Sequence, residues 1–468
     1  MTIKERFLSA INREKKITSG NIPKNVFALA MPLMIGAVLQ TSQSLIDLFW
    51  VGKLGTEAIS AVAMSGTIIM FVFTISLGLS IGTLSLVARD IGAGRKDEAN
   101  VTASHSVIVG LALGVAAALT GLLFSDIFLR LLGADTDVIA AGNHYLRIML
   151  MGSFTMIVLF TCNYVLQAAG DTFHPMLFLG LANIFNIVLD PIFIFGIGVP
   201  KMGTSGAALA TVLGQAISMV LVLNLLLRKD ALVKLTYRGF RFRPDILKDI
   251  VKIGVPASLQ MFLRTTMYIV LVSLVAGFGM KAVAAYGIIM RLQVVMLMPS
   301  FALGGAAATF MGQNVGACKP GRARTSVWTA TFFDSAIMLF LGVVFFIFPR
   351  AILSVFNQDV RLLDIGVEFL RISAFFYSFM GFGIVLNRGL RGAGDTFMPM
   401  LITAFTLWAY TVPLAFYLSQ NTVLGLKGIW WAMATSHLVQ AILTIIWFES
   451  GMWKRSMLRV CHEGAPHF

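Results

Sequence analysis

Two aspartates, Asp47 and Asp190, stand inside long apolar segments of the sequence. If these segments cross a membrane, each carboxylate costs about 2.5–3.5 kcal/mol on insertion scales and needs a stabilising reason. Asn186 precedes Asp190 by four residues and would share its helix face. Pro191 has no N–H to give to the carbonyl of Ile187, so an unpaired oxygen and a kink are expected beside the carboxylate. Residues of these types are suited to binding a small cation or a proton.

Asp47, Asp190 and Asn186 together form a candidate Na⁺ site, because carboxylate, amide and carbonyl oxygens are the ligands of hard cations. A carboxylate removed from water can instead carry a proton, because desolvation disfavours the charged form. The residue types leave both H⁺ and Na⁺ open as the ion, and we expect no further cofactor. The three cysteines lack metal-ligand spacing, and their odd number argues against a disulfide framework.

The composition indicates that these residues lie in a membrane protein. Hydrophobic residues make up 57% of the 468, and charged residues only 12%, about half the share typical of soluble domains. Apolar runs of about twenty residues recur along the chain, each long enough to cross a bilayer as a helix, and they lack the alternation of a barrel strand. The predicted fold is an all-α membrane protein whose twelve transmembrane helices lie near 26–50, 57–84, 102–125, 143–168, 174–198, 205–227, 250–277, 282–310, 325–348, 366–390, 397–418 and 428–449.

An internal repeat with an offset of 224 residues divides the chain into two halves. Its clearest landmark is the sequence Gly-Asp-Thr-Phe at 170–173, which recurs at 394–397. Six spans in each copy give both halves the same orientation, as in transporters built from parallel repeats. We therefore predict two pseudo-symmetric six-helix lobes, within a chain divided into an N-terminal segment (1–25), an N-lobe (26–227), a linker (228–249), a C-lobe (250–449) and a tail (450–468).

The distribution of basic residues predicts the orientation. Alternating loops carry 25 of the 36 Lys and Arg residues on one side and 7 on the other. By the positive-inside rule, both termini are expected in the cytoplasm, in a multi-pass protein of the plasma (inner) membrane. The net charge of +14 thus lies beside lipid headgroups and does not indicate nucleic-acid binding.

The motifs of the chain, taken in order, resemble those of the multidrug and toxic compound extrusion (MATE) transporters, in particular their DNA-damage-inducible-F-like prokaryotic branch. The resemblance rests on Pro32, on the stretch from Gln40 to Asp47, on Val51-Gly52-Lys53-Leu54-Gly55, on Asn186 to Pro191, and on the loops around Asp171 and Asp395. It implies a secondary active transporter that exports organic, cationic or amphipathic compounds by antiport with H⁺ or Na⁺.

The resemblance also implies roles for single residues. Gln40 and Thr211 would join the two aspartates and Asn186 at the ion-coupling site, and Pro32 would be a bending point of the first helix. Tyr145 and Asn163 are substrate-cavity candidates. Arg264 and Arg291, basic residues inside predicted spans of the C-lobe, are further cavity candidates, although pairing with Asp334 to fix the packing is the alternative that we favour for them.

Other functional classes fit less well. A flippase for lipid-linked sugars shares the two-lobe architecture, but such proteins tend to line their cavity with several basic residues, and here the deep positions offer few. The string Gly392-Ala393-Gly394-Asp395 is that of an aspartyl protease, yet its repeat at 168–171 indicates a turn that caps the next helix. We expect no enzyme, a monomer, and small organic molecules and membrane lipids as the partners.

Overall fold

A computed structural model describes residues 17–228, 230–236, 241–455 and Cys461. These residues form helices and connecting turns without a β-strand, as the predicted all-α fold requires. Parts of the predicted N-terminal segment (1–16), linker (229, 237–240) and tail (456–460, 462–468) lie outside the described residues. The helices of the first half are α1 (Ile22–Gly52), α2 (Thr56–Gly92), α3 (Lys96–Leu131), α4 (Thr136–Met151), α5 (Ser153–Ala168), α6 (Phe173–Phe195) and α7 (Thr204–Leu227).

The second half repeats this order with more interruptions. A π-helix, Phe405–Thr411, joins two short helices that occupy the place of α6. Its α-helices are α8 (Pro244–Ala276), α9 (Met280–Met296), α10 (Met298–Gly316), α11 (Pro320–Ile347), α12 (Pro349–Ser354), α13 (Val360–Ala374), α14 (Tyr377–Gly392), α15 (Phe397–Ala404), α16 (Val412–Gln420) and α17 (Leu426–Glu449).

Ten helical segments of the described chain are long and apolar enough to cross a membrane. Two further pairs, α4 with α5 and α13 with α14, reach that length only together, because each pair is bent, by 42° and 60° respectively. If each bent pair crosses as one span, the total is twelve. The two bent pairs are equivalent in the repeat, so the bend is a feature of both halves.

The chain folds into two compact units. Unit 1 comprises Pro32–Val255, and unit 2 comprises residues 17–31 together with the described residues from Pro256 onward. The boundaries fall at Pro32 in α1 and at Pro256 in α8, so each of these helices contributes to both units. The described residues of the predicted linker belong to unit 1.

Glycines allow the helices of unit 1 to approach closely. A Cβ atom on Gly206 would lie 2.6 Å from the carbonyl carbon of Phe193, and one on Gly214 would lie 2.9 Å from the carbonyl oxygen of Ala182. Both contacts join α7 to α6. Small residues at helix interfaces are the usual means of close packing in membranes, where lipid supplies no hydrophobic drive between helices.

The linker is fastened to unit 1 by side chains of α3. Asn100 Oδ1 accepts from the Lys234 amide at 2.7 Å, Ser104 Oγ accepts from the Thr236 amide at 2.9 Å, and His105 Nε2 accepts from the Arg243 amide at 2.8 Å. The other nitrogen of the His105 ring, Nδ1, lies 2.8 Å from the Val101 carbonyl and donates to it. The imidazole is therefore neutral in this arrangement, with its proton on Nδ1.

Helix-end turns show the repeat at atomic level. Gly170 and Gly394 both adopt positive φ (89° and 84°), and the following aspartates donate their amides to equivalent carbonyls. Gly94 (φ 75°) ends α2 in the same way. At the matching turn after α10, the left-handed position is held by Cys318 (φ 55°), the one non-glycine residue with positive φ in the described chain.

The prediction that the cysteines form no disulfide is wrong. Cys318 and Cys461 form a disulfide with their Cα atoms 6.3 Å apart, and Cys162 is free and buried. Pairing depends on the distance between two cysteines in space, and 143 residues of sequence separate these two. An odd number of cysteines therefore gave no evidence against a single bridge.

The core of unit 2 depends on close approach between α10 and α14. A Cβ atom at Gly392 would lie 2.1 Å from the carbonyl oxygen of Ala308, a backbone atom that cannot move alone. We expect Gly392→Ala to lower the free energy of unfolding by about 2–3 kcal/mol, as overpacking of a tight core does. Thermal unfolding of the purified protein in detergent checks this.

The matched control is Gly287→Ala on α9, where an added Cβ meets no atom within 4 Å. That variant should unfold at the same temperature as the wild type or higher, since alanine is the better helix former by about 1 kcal/mol. Equal unfolding temperatures for Gly392→Ala and the wild type would contradict the packing described here.

Candidate functional site

The two aspartates singled out in the sequence meet inside unit 1. Asp47 on α1 lies within hydrogen-bonding reach of both Asp190 and Asn186 on α6. Asn186 and Asp190 are fully buried, whereas Asp47 is partly exposed. Residues separated by more than 130 positions in sequence are thus brought into one cluster by the packing of α6 against α1.

Asn186 links this cluster to α7. Its Nδ2 atom lies 3.3 Å from Asp190 Oδ1 and 3.3 Å from Thr211 Oγ1. The Thr211 hydroxyl donates its own proton to the Ala207 carbonyl at 3.0 Å, so its oxygen remains an acceptor for the amide. Thr211, whose place in the site rested on family resemblance alone, therefore lies directly against Asn186.

Hydrogen bonds from side chains to backbone carbonyls hold α6 in position beside α1 and α7. Asn183, one turn before Asn186, donates from Nδ2 to the Leu39 carbonyl of α1 at 2.7 Å. On the other side, Ser218 of α7 donates to the Phe178 carbonyl at 2.5 Å. Together with the glycine contacts between α6 and α7, these bonds fix the position of Asn186 between α1 and α7.

Several oxygens of the cluster are buried without a hydrogen-bond partner. They are Asp47 Oδ1, Asp190 Oδ2 and Asn186 Oδ1. A buried polar atom without a partner costs roughly 1–3 kcal/mol. Three such oxygens in one place would be stabilised by a bound proton or cation. Oxygen atoms without donors are what a cation coordinates and what a proton binds.

Electrostatic repulsion between the two carboxyl groups also favours a bound proton or cation. Two carboxyl groups within hydrogen-bonding reach repel each other strongly when both are ionised, and burial increases the repulsion. A proton shared by the pair or a cation bound between them removes that repulsion. Tyr145 on α4 lies close enough to interact electrostatically with both carboxyl groups, and its ring packs on the apolar cluster of Val51 and Ile194.

The other first-half candidates lie apart from these contacts. The side chain of Gln40 is exposed, and within the described residues it forms no hydrogen bond with the carboxyl pair. Asn163 lies on α5 with its buried Oδ1 atom unpartnered. Helix α1 continues through Pro32, which stands at the beginning of unit 1.

The described residues contain no group of three or more His, Cys, Asp or Glu side chains that could hold a metal ion. The oxygens available to a cation here belong to the carboxyl groups of Asp47 and Asp190 and to the Asn186 amide, with the Thr211 hydroxyl beside that amide.

The expected pairing of Asp334 with Arg264 or Arg291 is not found in the described part of unit 2. The Asp334 carboxylate accepts instead from Ser300 Oγ, at 3.0 and 2.8 Å. Arg264 is half-buried on α8, and Arg291 is exposed on α9 near Tyr268. The physical reason is geometric, since Asp334 lies against Gly381 and Ser300 rather than against either arginine.

Asp395, the aspartate of the protease-like string, belongs to a helix-end turn. Trp447 donates from Nε1 to its Oδ2 atom at 2.7 Å. Burial raises the pKa of the Asp395 carboxyl, and the hydrogen bond from Trp447 opposes that shift. In the equivalent turn of the first half, Asp171 Oδ1 accepts from the amides of Phe173 and His174 at 3.1 Å, which caps α6.

The sequence-based site did not include three basic residues of unit 2, namely Arg388, Arg391 and His437. Arg388 and Arg391 lie on α14, which extends to Gly392, two residues beyond the predicted end of that span. Both were counted with the loop in the analysis of orientation, although Arg388 lies inside the predicted span 366–390. The short spacing of three residues between two arginines at a helix end was the signal that could have identified them.

Comparison with known proteins places the whole chain in one family. The family model MatE matches residues 32–192 and 256–417, one copy in each half. The probable multidrug resistance protein YpnP of Bacillus subtilis is 31% identical over 94% of this chain and 98% of its own length. The probable multidrug resistance protein NorM of Thermotoga maritima is 28% identical over 93% and 94% respectively.

Solved structures agree with this relationship. The outward-facing conformation of a multidrug resistance MATE family transporter of the MOP superfamily superposes with a TM-score of 0.88, at 28% identity, over 96% of this chain and 99% of that one. Those transporters have twelve transmembrane helices in two lobes, which confirms the predicted fold class. With both halves matched by the family model and nearly the full length covered by relatives, the chain belongs to the MatE family, the MATE transporters.

Proposed function

We propose that this protein is a secondary active efflux transporter that exports small organic, cationic or amphipathic compounds by antiport with H⁺ or Na⁺. The observation that carries the proposal is the carboxyl pair of Asp47 and Asp190, buried in a unit of membrane-spanning helices with unpartnered oxygens. The names of the relatives, which describe multidrug resistance, support the range of substrates.

The carboxyl pair couples an ion gradient to a change of state. When a proton or Na⁺ neutralises the pair, α1 and α6 can stay packed together, because the repulsion between the carboxyl groups is removed. When the ion leaves, that repulsion favours a different arrangement of α1, and Pro32, which lacks a backbone donor, is the proposed bending point. Antiport follows if the substrate binds better to the state that the ion-free protein favours and the ion binds better to the state in which α1 and α6 stay packed together.

The proposed ion ligands are Asp47, Asp190 and Asn186, with Thr211 as the group that orients the Asn186 amide. Asn186 Nδ2 donates both to Asp190 Oδ1 and to Thr211 Oγ1, and these two bonds fix the orientation of the amide beside the carboxyl pair. Gln40 lies on α1 about two helical turns before Asp47. Its role is proposed from family resemblance alone. Tyr145, Asn163, Arg264 and Arg291 remain the proposed contacts for substrate.

The proposed setting is the plasma (inner) membrane, with both termini in the cytoplasm. The excess of Lys and Arg on alternate loops supports this orientation. We propose that the protein acts as a monomer in contact with membrane lipids and catalyses no chemical reaction. Moving one charge through 100 mV supplies about 2.3 kcal/mol, and the ion's concentration gradient adds to this.

Transport by the purified protein in liposomes tests the proposal. Vesicles loaded with ethidium receive an inward gradient of either H⁺ or Na⁺, and loss of dye fluorescence from the lumen is followed. We expect one gradient to drive efflux. Asp47→Asn and Asp190→Asn should each slow it at least tenfold, because an amide neither takes up a proton nor neutralises a cation.

Asp126→Asn is the matched control, because Asp126 is also an aspartate of unit 1 but is exposed and paired with Arg130 at 2.8 Å. It should transport as the wild type does. If neither gradient drives efflux, or if the two site variants transport normally, the proposed coupling site is wrong and a flippase for lipid-linked sugars becomes the better reading.

A second prediction concerns Thr211. The variant Thr211→Val keeps the side-chain shape but removes the acceptor of Asn186 Nδ2, at a cost of about 1 kcal/mol. Because the Asn186 amide is then held only by its bond to Asp190, its orientation is less fixed, and the coupling ion should bind severalfold more weakly. The measurement is the rise in unfolding temperature with increasing Na⁺ or H⁺ concentration, which reports ion binding to the folded state.

The control for that change is Thr120→Val, since the exposed Thr120 hydroxyl bonds only to the Ala116 carbonyl of its own helix among the described residues. Its ion dependence should match that of the wild type. Identical ion dependence for Thr211→Val and Thr120→Val would remove Thr211 from the site.

A further inference from the structure

Asp334 is an acidic residue of unit 2 in the middle of a helix that can span a membrane. It lies fourteen residues after the first residue of α11 and thirteen before the last, in a segment long and apolar enough to cross a bilayer. Its side chain is fully buried. Ionisable residues at such a depth are rare, and as a default they indicate a functional site.

The Asp334 carboxyl group has one hydrogen-bonding partner in the described chain, Ser300 on α10. The Ser300 Oγ atom lies 3.0 Å from Asp334 Oδ1 and 2.8 Å from Oδ2. On the side of α14, a Cβ atom at Gly381 would lie 2.6 Å from Oδ2 and 3.3 Å from Cγ of Met338, a member of a buried apolar cluster. Helices α10 and α14 therefore both close against this carboxyl group.

The two contacts with Ser300 require two protons. A serine hydroxyl carries one proton, and a good hydrogen bond needs a proton directed along the line between its two heavy atoms. If Asp334 is ionised, only one of its oxygens can receive the Ser300 proton well. If Asp334 is protonated, one oxygen donates to Ser300 Oγ while the other accepts the Ser300 proton. The neutral carboxyl group therefore accounts for both short distances.

No charged group in the described part of unit 2 compensates an ionised Asp334. Helix α10 has no titratable residue, and the nearest charged residue along α11 is Arg324, ten positions away and paired with Glu449 at 2.7 Å. The titratable residues of the two longer helices that also pack against α11 are Asp364, Glu368 and Arg371 on α13 and Tyr377, Arg388 and Arg391 on α14. None of these forms an ion pair or a hydrogen bond with the Asp334 carboxyl group, whose partner in the described chain is Ser300. Burial of an ionised carboxyl group without a charged partner is strongly unfavourable, which again favours the neutral form.

Unit 1 makes the equivalent helix contact without an acid. At the offset of 224 residues, Gly110 on α3 corresponds to Asp334, and Ile157 on α5 corresponds to Gly381. A Cβ atom at Gly110 would lie 3.4 Å from Ile157 Cγ2, so a side chain of α5 packs on a glycine of α3. In unit 2 the arrangement is reversed, with the carboxyl group of α11 packed on a glycine of α14. Because a hydrocarbon side chain serves this contact in unit 1, packing alone does not require an acid in unit 2.

Both helices that enclose the Asp334 carboxyl group are interrupted nearby. Helices α9 and α10 meet at Leu297, three residues before Ser300. Helices α13 and α14 are bent by 60° relative to each other, at a break that ends five residues before Gly381. The contacts of Asp334 therefore fasten α11 to two helices at places where their backbone can change direction.

From these contacts we infer that Asp334 is a proton-binding site of unit 2, separate from the carboxyl pair of unit 1, and that the bound proton holds α10, α11 and α14 together. The site suits a proton rather than a metal ion, because two carboxyl oxygens and one hydroxyl are present, whereas hard cations take about six oxygen ligands or more. Since the carboxyl group is fully buried, its proton is exchanged with water only when these helices separate. The inference goes beyond the proposed function and does not rest on it, because it follows from contacts within unit 2.

Infrared spectroscopy of the purified protein at neutral pH tests the protonation of Asp334. A protonated carboxyl group gives a carbonyl stretching band that an ionised one lacks. We expect Asp334→Asn to lose one such band that the wild type shows. Ser300→Ala should keep this band and shift it to higher frequency, because the hydrogen bond from the serine to the carbonyl oxygen is removed.

Asp364→Asn is the matched control, because Asp364 is an exposed aspartate of unit 2 that pairs with Arg350 at 3.1 Å. It should leave the bands of protonated carboxyl groups unchanged and weaken only those of ionised ones. If Asp334→Asn removes a band of an ionised carboxyl group instead, Asp334 is not protonated and the inference is wrong. An unshifted band in Ser300→Ala would equally contradict a proton shared with Ser300.

The pH dependence of stability is a second measurement. Because the folded state holds a proton at Asp334, raising the pH removes it by mass action and destabilises the contacts between α10, α11 and α14. Asparagine keeps the shape of the neutral carboxyl group, and its amide can donate to Ser300 Oγ as the protonated acid does. We therefore expect Asp334→Asn to unfold at the wild-type temperature at neutral pH and to lose several degrees less than the wild type at alkaline pH.

Equal pH profiles for Asp334→Asn and the wild type would overturn the inference, whereas Asp364→Asn should follow the wild type. If Asp334→Asn does not fold, the band shift in Ser300→Ala decides the question. Neither measurement uses transport or an ion gradient. A failure of ion-coupled efflux and a failure of proton binding at Asp334 are therefore separate outcomes.

Discussion

The contact between Asp47 and Asp190 is the constraint on which unit 1 depends. Two carboxyl groups within hydrogen-bonding reach repel each other when both are ionised, and in the proposed mechanism a bound proton or cation removes that repulsion where α1 meets α6. The neighbouring contacts serve this arrangement. Asn183 binds a carbonyl of α1, Gly214 lets α7 approach α6, and Thr211 directs the Asn186 amide. A site of this kind changes its stability when its ion is gained or lost, which is what coupling to a gradient requires.

The internal repeat separates what the scaffold needs from what the site needs. The turns at Gly170 and Gly394 keep both their φ angles and their hydrogen bonds, and the bent helix pairs recur in both halves. The charged residues do not recur. Backbone geometry is thus kept between the halves while the charged side chains differ.

Much of the fold was predictable from the sequence, because long apolar runs and a repeated Gly-Asp-Thr-Phe turn have few structural interpretations. The grouping of Asp47, Asp190 and Asn186 was also accessible, since isolated acids in apolar segments are rare. The disulfide between Cys318 and Cys461 was not, because no local pattern encodes a contact across 143 residues. Arg388 was missed because it lies near the end of the predicted span 366–390 and was counted with the adjoining loop, whereas its side chain packs on Gly304.

The π-helix at Phe405–Thr411 changes the register of the second half relative to the first. Its extra residue moves the register of the following helix by one position. Gly428 packs on Leu418 as Gly206 packs on Phe193, and the offset between Phe193 and Leu418 is 225 residues instead of 224. The family match shows the same shift, since it begins at 32 and 256 but ends at 192 and 417. After the shift, Ala415, which is fully buried, takes the place of Asp190. Position 415, and not Leu414, is therefore the counterpart of Asp190 in unit 2.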